Sequence, residues 1–427
     1  MSPSAPGLAA LPRRTARAFG AALLVGFGAA LLACTSATAP AYRGAAYAVR
    51  SDGQRLDVAA LTELGRALFF EPALSASGQT ACATCHDPKF GYAPPNALAV
   101  QRAGRDGRTP GVRAAPSLRY LNTLPAFTEH HHDNDGDDSI DAGPTGGHTW
   151  DGRAGSAREQ ARLPLLSEAE MANASAAEVV QRLQRSALAT RFRAVFGTAV
   201  FDDSPRAFES LLFALEVFQQ SPRDFYPFSS RYDEVLRGRA ELSAPEARGL
   251  ALFNDPAKGN CASCHLSAPK PDGALPLFTD FGLIAIGVPR NAEVPANADP
   301  TYFDLGLCGP LRADLRDRAD YCGRFCTPSL RNAALRRSFF HNGALHSLRD
   351  VLRFYARRDT HPQEFYPRAA DASVRKFDDL PPRYHGNVNT EPPFDRRPGD
   401  PPALTDDEIA DVIAFLETLT DADLLPP

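Results

Sequence analysis

Two short strings in this chain each combine a pair of cysteines with a following histidine. They are Cys82-Ala-Thr-Cys85-His86 and Cys261-Ala-Ser-Cys264-His265. At this spacing two thiols can add to the vinyl groups of one haem, while the adjacent histidine reaches the iron as its proximal ligand. A zinc site is the alternative, but it needs four ligands, and no second pair of cysteines lies near either string. The strings therefore predict two covalently attached haem c groups.

The ligand opposite each histidine separates electron carriers from catalysts, because methionine there favours a high-potential carrier. The 427-residue chain has two methionines, Met1 at its start and Met171. At most one haem can therefore pair His with Met, which leaves His, Tyr or an open position for the other.

A short amphipathic helix is predicted before each haem string. The helices cover residues 64–72 and 247–256, and the second is preceded by a capping box formed by Ser243 and Glu246. Each string thus follows a helix and lies in the loop after it, which indicates an internal repeat.

A closing helix is predicted at the end of each repeat. The first covers about 205–218 with Ser204 as its N-cap, and the second covers 406–419, capped by Thr405 with Glu408 in its first turn. Helix, haem loop and closing helix, repeated twice, predict an all-α fold. It would consist of two cytochrome c-like haem domains with long irregular loops.

The N-terminus has the pattern of an export signal. Three arginines at positions 13, 14 and 17 precede an apolar run that ends in Leu-Ala-Cys34, which is typical of a lipobox. Residues 1–34 are predicted to be the signal, 35–50 a flexible tether, 51–235 the first domain and 236–427 the second. An ordinary secretory signal is the alternative. Both place the mature chain in the periplasm, and a lipid on Cys34 is the one expected link to the membrane.

The net charge excludes one class of function, and the three remaining cysteines predict a disulfide. The net charge of −5 excludes a basic nucleic-acid-binding surface. Cys308, Cys322 and Cys326 are an odd number in an oxidising compartment, so one disulfide and one free thiol are expected. We predict the pair Cys308–Cys322. The pair Cys322–Cys326 requires a turn that is not regular helix.

Further strings resemble the bacterial dihaem cytochrome c peroxidases and their MauG-type relatives over about 55–420. They are APSL at 115–118, WDGRA at 150–154, EQA at 159–161, PL at 164–165, EM at 170–171, TPSLRN at 327–332 and FHNG at 340–343. The resemblance implies two facing domains, with hydrogen peroxide bound at the haem of His86 and electrons entering at the haem of His265. It also implies a small c-type cytochrome or cupredoxin as electron donor.

The resemblance gives Trp150 the role of electron relay between the haems, although a Trp there could simply fill an interface. Glu170 and Gln160 match the polar pair above the peroxide-binding haem. A carboxylate there can take a proton from the near oxygen of peroxide and return it to the leaving oxygen. A solvated helix residue is the alternative for Glu170, and Met171 beside it is expected in the core.

Tyr355 falls where MauG-type proteins have the sixth ligand of the second haem and peroxidases usually have Met. An anionic oxygen ligand there lowers the reduction potential. The alternative is that Tyr355 packs within an amphipathic segment over 348–355.

Two departures from the family pattern affect the cofactors. Residues 102–108 contain no histidine where many relatives have one that blocks the first haem, so that haem is expected to be open. Ala114 replaces an asparagine that binds an interdomain calcium, which puts that site in question.

An insertion over 127–148 contains three consecutive histidines, His130, His131 and His132, and an acidic stretch over 133–141. The acidic stretch resembles a calcium loop, and a hydrated surface loop is the alternative. The histidines could bind a metal or cover the haem pocket.

The sequence thus predicts a dihaem peroxidase that reduces hydrogen peroxide with electrons from a small periplasmic redox protein. A MauG-type oxidase acting on residues of a partner protein and a plain dihaem electron carrier are the alternatives.

Overall fold

Helices provide most of the regular structure in a computed structural model that describes residues 47–50, 53–132 and 141–426. Within those residues eleven α-helices occur, followed here in chain order: α1 Val58–Phe69, α2 Cys82–Cys85, α3 Ala157–Leu166, α4 Ala176–Arg185, α5 Ala189–Phe196, α6 Ser204–Gln219, α7 Pro222–Phe225, α8 Arg231–Leu236, α9 Ala244–Asn254, α10 Leu348–Arg357 and α11 Asp406–Glu417. None of the described helices combines the length and apolar character needed to span a bilayer.

Three antiparallel two-stranded sheets accompany the helices in the described residues. Their strands are β1 Tyr47–Val49 with β2 Arg55–Asp57, β3 Arg102–Ala103 with β4 Thr109–Pro110, and β5 Leu283–Ile284 with β6 Phe325–Cys326. The chain is therefore helix-rich with small sheets rather than strictly all-α. The pairing of β1 with β2 also shortens the predicted tether at its C-terminal end. The rest of the tether, and the lipobox at Cys34, lie outside the described residues.

The first core forms where α1 crosses α6. Leu61, Leu64 and Leu68 of α1 are fully buried against this helix, and a full Leu burial contributes about 1.5–3 kcal/mol. Gly65 makes the crossing close, because a Cβ there would lie 2.0 Å from the carbonyl oxygen of Ala214. The absence of a side chain at Gly65 thus sets the distance between the two helices.

The second core repeats this arrangement with α9 and α11. A Cβ on Gly249 would lie 2.0 Å from the carbonyl oxygen of Asp411. Phe253 and Phe415 meet edge to face beside it, with ring centroids 5.3 Å apart. The predicted succession of helix, haem loop and closing helix is confirmed in both halves. The boundary at 235–236 stays a prediction, and Tyr232 packs in the second core.

The helix caps differ from the sequence prediction at one position. Asp203, not Ser204, caps α6, since its carboxylate accepts a hydrogen bond from the N–H of Arg206 at 3.1 Å. The capping box of Thr405 and Glu408 at α11 is confirmed. At α9 the Glu246 carboxylate accepts from the Ser243 N–H at 2.6 Å, as predicted.

A disulfide joins Cys308 and Cys322, as predicted, and Cys326 remains a free thiol. The disulfide adjoins a small core that includes Leu307 and Tyr321. The insertion packs onto this region, because Glu129 pairs with Arg318 and accepts from the Tyr321 hydroxyl at 3.2 Å. Of the predicted calcium loop, residues 133–140 lie outside the described residues.

Candidate active site

The first cysteine pair lies on the one-turn helix α2, beside the first core. Cys82 and Ala83 pack against that core, and the His86 N–H donates to the Cys82 carbonyl at 3.0 Å. The His86 Nδ1 lies 3.1 Å from the carbonyl oxygen of Tyr92, so Nδ1 carries the proton and Nε2 keeps its lone pair. Burial lowers the pKa of His86 to about 4, which keeps the ring neutral, the form that binds iron.

The second pair repeats this geometry. The His265 Nδ1 lies 2.9 Å from the carbonyl oxygen of Phe278, and burial lowers the pKa of His265 to about 4. The serines of the two repeated Pro-Ser-Leu strings hold the loops that provide these carbonyls. Ser117 Oγ donates to the Gly91 carbonyl at 2.7 Å, and Ser329 Oγ donates to the Leu277 carbonyl at 2.6 Å.

A large cavity opens beside the second pair. It is open to solvent, and Cys261, Cys264 and His265 line it. Two thiols, a neutral imidazole with a free Nε2 and a mostly apolar cavity fit a covalently attached haem. These residues, and their counterparts Cys82, Cys85 and His86, would hold the two cofactors.

Glu170 lies beside the first cysteine pair. Burial raises the pKa of Cys85 to about 11, and the negative charge of Glu170 contributes to the rise. Desolvation also raises the pKa of Glu170 itself, against a hydrogen bond from Ser167 and the charge of Arg153. The Glu170 side chain keeps a solvent-exposed surface. Glu170 lies in a tight turn after the end of α3 and not on a helix.

Gln160 and Met171, the other two residues of this region that the sequence singled out, differ in their surroundings. Gln160 is half-buried on α3 and makes no side-chain hydrogen bond within the described residues. Met171 is 2% exposed in the first core, which confirms it as a packing residue. The structure therefore brings the charge of Glu170 into electrostatic contact with the first cysteine pair.

Trp150 lies between the loop that follows the first site and the cavity of the second. Its Nε1 donates to the carbonyl of Ala114 at 2.7 Å, next to the first Pro-Ser-Leu string. Its own carbonyl accepts from the N–H of Cys326 at 2.9 Å, and its ring lines the same cavity as His265. Trp150 thus contacts both the loop before the first Pro-Ser-Leu string and the strand that carries Cys326.

Tyr355 lies on α10 and lines the same cavity. Burial raises its pKa, and the charges of Cys264 and Cys261 add to the rise, so its hydroxyl lies near the second cysteine pair. The ring also stacks on Phe394 with centroids 5.3 Å apart. This position suits Tyr355 as a ligand that reaches the second haem from the side of α10. The stacking on Phe394 is what the alternative, a packing role for Tyr355, also predicts.

Sequence reasoning missed a buried ionic cluster beside Trp150. Arg113 lies 2.8 Å from Asp151 and 2.6 Å from Asp304, and the side chains of all three are nearly inaccessible to solvent. His341 stacks on Phe325 with ring centroids 3.5 Å apart, close to the same cluster. Asp151 belongs to the WDGRA string and His341 to the FHNG string. These two strings were therefore the feature of the sequence that could have pointed to the cluster.

The histidines of the insertion do not converge on one point. His130 pairs with Asp141 at 2.5 Å on the surface, while His148 lines the cavity with its pKa lowered to about 4 by burial. Across the described ranges no group of three or more His, Cys, Asp or Glu side chains could hold a metal ion.

The chain is similar to known proteins over most of its length. The sequence model of the family described as di-haem cytochrome c peroxidase matches residues 59–241. Methylamine utilization protein MauG of Paracoccus denitrificans is 35% identical over 372 residues, which are 85% of this chain and 89% of that protein. Cytochrome c551 peroxidase of Pseudomonas aeruginosa is 26% identical over 293 residues, 68% of this chain and 70% of that protein.

A solved structure is similar over the same extent. The diheme peroxidase BthA of Burkholderia thailandensis superimposes with a TM-score of 0.76 and 43% sequence identity, covering 85% of this chain and 86% of that one. The resemblance predicted from the strings is thereby confirmed. With 35% identity to the Paracoccus protein over most of both lengths, this chain belongs to the dihaem cytochrome c peroxidase and MauG family of oxidoreductases.

Proposed function

We propose that the protein reduces hydrogen peroxide at the His86 site and draws the electrons through the His265 site. The donor would be a small periplasmic redox protein, either a c-type cytochrome or a cupredoxin. The observation that carries this proposal is the Glu170 carboxylate, whose charge acts on both Cys82 and Cys85. It is a proton-accepting group next to the position where a haem would be attached.

The haem would supply the redox-active iron that receives the peroxide. Glu170 would accept the proton of the near oxygen and return it to the far oxygen as the O–O bond breaks. A raised pKa suits this exchange, because the carboxylate then binds and releases protons closer to neutral pH than an exposed one. Gln160, on the preceding helix, would orient the peroxide.

The hairpin of β3 and β4 supports an open first site. It covers residues 102–110 without a histidine, and its turn is closed by Asp106, which accepts from the N–H groups of Arg108 and Thr109. The Gly104 N–H donates to the Glu170 carbonyl at 2.8 Å, so the hairpin holds the backbone of the proposed base. A segment that carries a blocking ligand in many relatives would here support catalysis instead.

A MauG-type activity is the second candidate, and Tyr355 is the observation that favours it. A tyrosinate ligand at the second site would stabilise its oxidised states. Electrons could then be drawn from residues of a partner protein and relayed through Trp150 to the first site, so that those residues are oxidised as peroxide is reduced. Consumption of reduced small cytochrome c on peroxide addition separates the two, since the MauG-type reaction does not require that donor.

The proposal is tested with Glu170→Gln, matched by Glu168→Gln, another exposed glutamate two residues earlier in the same turn. Removal of the base at Glu170 is expected to lower peroxidase turnover by about 10²–10⁴-fold, with haem content unchanged. In the unaltered protein, turnover should fall as the pH decreases, starting above the pKa range of an ordinary carboxylate, because protonated Glu170 cannot accept a proton. This fall should be absent in the Glu170→Gln variant. Equal turnover in both variants would refute the role of Glu170.

A further inference from the structure

A half-buried cation lies between the two haem sites, and no acid among the described residues neutralises it. Arg336 follows the TPSLRN string, in the loop between β6 and α10. Its Nη2 donates to the carbonyls of Ala115 and Ser338, at 3.2 Å each, and its Nε donates to Ser338 at 3.3 Å. Within the described residues it forms no ion pair, and its Nη1 has no hydrogen-bond partner.

The more deeply buried arginines are all neutralised by aspartate. Arg331 pairs with Asp233, Arg119 with Asp421, Arg113 with Asp304 and Arg358 with Asp359. A buried charge is costly unless it is paired, so this pairing is the expected pattern. Burial lowers the pKa of Arg336 to about 10, which reflects the missing counter-charge.

The position of Arg336 connects it to both sites. Its side chain lines the cavity with Cys261, Cys264 and His265. On the other side its charge contributes to the lowered pKa of His86. The carbonyl of Ala115, which it contacts, is adjacent to the carbonyl of Ala114, which accepts from Trp150. Arg336 therefore lies between the two sites, next to the proposed relay.

We propose that Arg336 is the receptor for the carboxylates of the bound haems and supplies the fixed positive charge between the two sites. This rests on the proposed two-haem function. Each haem c carries two propionates, which neither the thioether bonds nor the histidine engages. The two carbonyls hold the guanidinium in place, and its unpartnered Nη1 remains for a carboxylate, with which Arg forms short charge-assisted bonds.

The same guanidinium explains the departure at Ala114. A fixed cation held by the Ala115 carbonyl makes a bound metal ion unnecessary at this position. The site would then keep its charge whatever the calcium concentration. It would also favour the reduced state of both irons, since a nearby positive charge opposes the gain of further positive charge on oxidation.

The test is the midpoint potential of each haem in the two-haem protein, measured by spectroelectrochemistry. Arg336→Gln should lower both potentials, and Arg336→Lys, which keeps the charge, should lower them less. The matched control is Arg337→Gln, because Arg337 is the exposed neighbour and its charge is screened by water. Potentials in the Arg336→Gln protein equal to those of the Arg337→Gln control would overturn the proposal.

A measurement on the unaltered protein decides the question if the Arg336→Gln variant does not accumulate with two haems. Treatment with a calcium chelator, followed by calcium addition, should leave both potentials unchanged. A fall on chelation that calcium reverses would show that a metal ion supplies this charge, and would overturn the proposal. Failure of the proposed function would appear differently, as missing peroxide turnover in a protein whose potentials still depend on Arg336.

Discussion

At the scale of single residues, backbone carbonyls determine what the two histidines can do. The carbonyls of Tyr92 and Phe278 engage Nδ1 of His86 and His265. Each Nε2 is thereby available for iron, and the same contact increases the donor strength of the ring. A histidine and two thiols at fixed spacing were recognisable in the sequence because the chemistry of attachment is local.

The role of Tyr355 gives the prediction at this scale. Tyr355→Phe removes the hydroxyl and keeps the ring that stacks on Phe394. If Tyr355 is the second haem's ligand, the spectrum of that haem should change and its midpoint potential should rise, because an anionic oxygen ligand is lost. The first haem's spectrum should hold. Tyr226→Phe, at a hydroxyl bonded to the Gln220 carbonyl away from both sites, is the control. An unchanged second haem would leave Tyr355 as a packing residue.

The buried ionic cluster shows why other site residues escaped sequence reasoning. Arg113 and Asp304 are separated by 191 positions, and Arg331 and Asp233 by 98. No periodicity or spacing rule relates side chains so far apart in the sequence, since their pairing depends on the tertiary packing of the chain. Arg336 is a further example, because its partners are carbonyl groups, which every residue has.

At the scale of elements, two helix crossings position the two haem loops. Helices α1 and α9 lead into Cys82 and Cys261, and each crosses a closing helix at a glycine. The 3.6-residue periodicity of these four helices made them predictable. The six strands, none longer than three residues, carry no periodicity and were missed. The N-cap of α6 was misplaced by one residue because Asp203 and Ser204 are both good caps.

The crossing of α9 and α11 predicts an unusual response to Gly249→Ala. In an exposed helix this change stabilises by about 1 kcal/mol. Here the new methyl group would meet the Asp411 carbonyl, so we expect a loss of about 1–3 kcal/mol in the free energy of unfolding, as in other overpacked cores. Chemical denaturation of the holoprotein measures the change. Gly386→Ala, at an open position, is the control. Stabilisation by the Gly249 substitution would show that the helices are not held at this distance.

At the scale of the whole molecule, buried ion pairs join distant parts of the chain. Arg119, after the first Pro-Ser-Leu string, bonds to Asp421 at 2.8 Å near the C-terminus, and the Tyr120 hydroxyl donates to the same carboxylate at 2.5 Å. Arg113 of the first half pairs with Asp304 of the second. Such pairs are strongly destabilising to break, so they fix the first haem loop relative to the second.

Haem stoichiometry is the first prediction at this scale. Two haems per chain should survive denaturation, because thioether bonds are covalent. Replacement of Cys82 and Cys85 together by alanine should leave one haem, bound by the second pair. Pyridine haemochrome spectra and the mass of the denatured chain give the count. Two haems retained after the double replacement would contradict the attachment at the first string.

The central claim is that the first haem site is open and acts on peroxide without prior activation. The fully oxidised protein, mixed with hydrogen peroxide in a stopped-flow instrument with no electron donor present, tests it most directly. Because the hairpin over 102–110 carries no histidine, the account predicts an immediate spectral change at the first haem, and turnover once reduced small cytochrome c is added. No reaction until one electron is supplied would contradict the account, because it would show that a ligand, such as a histidine of the 127–148 insertion, blocks the iron.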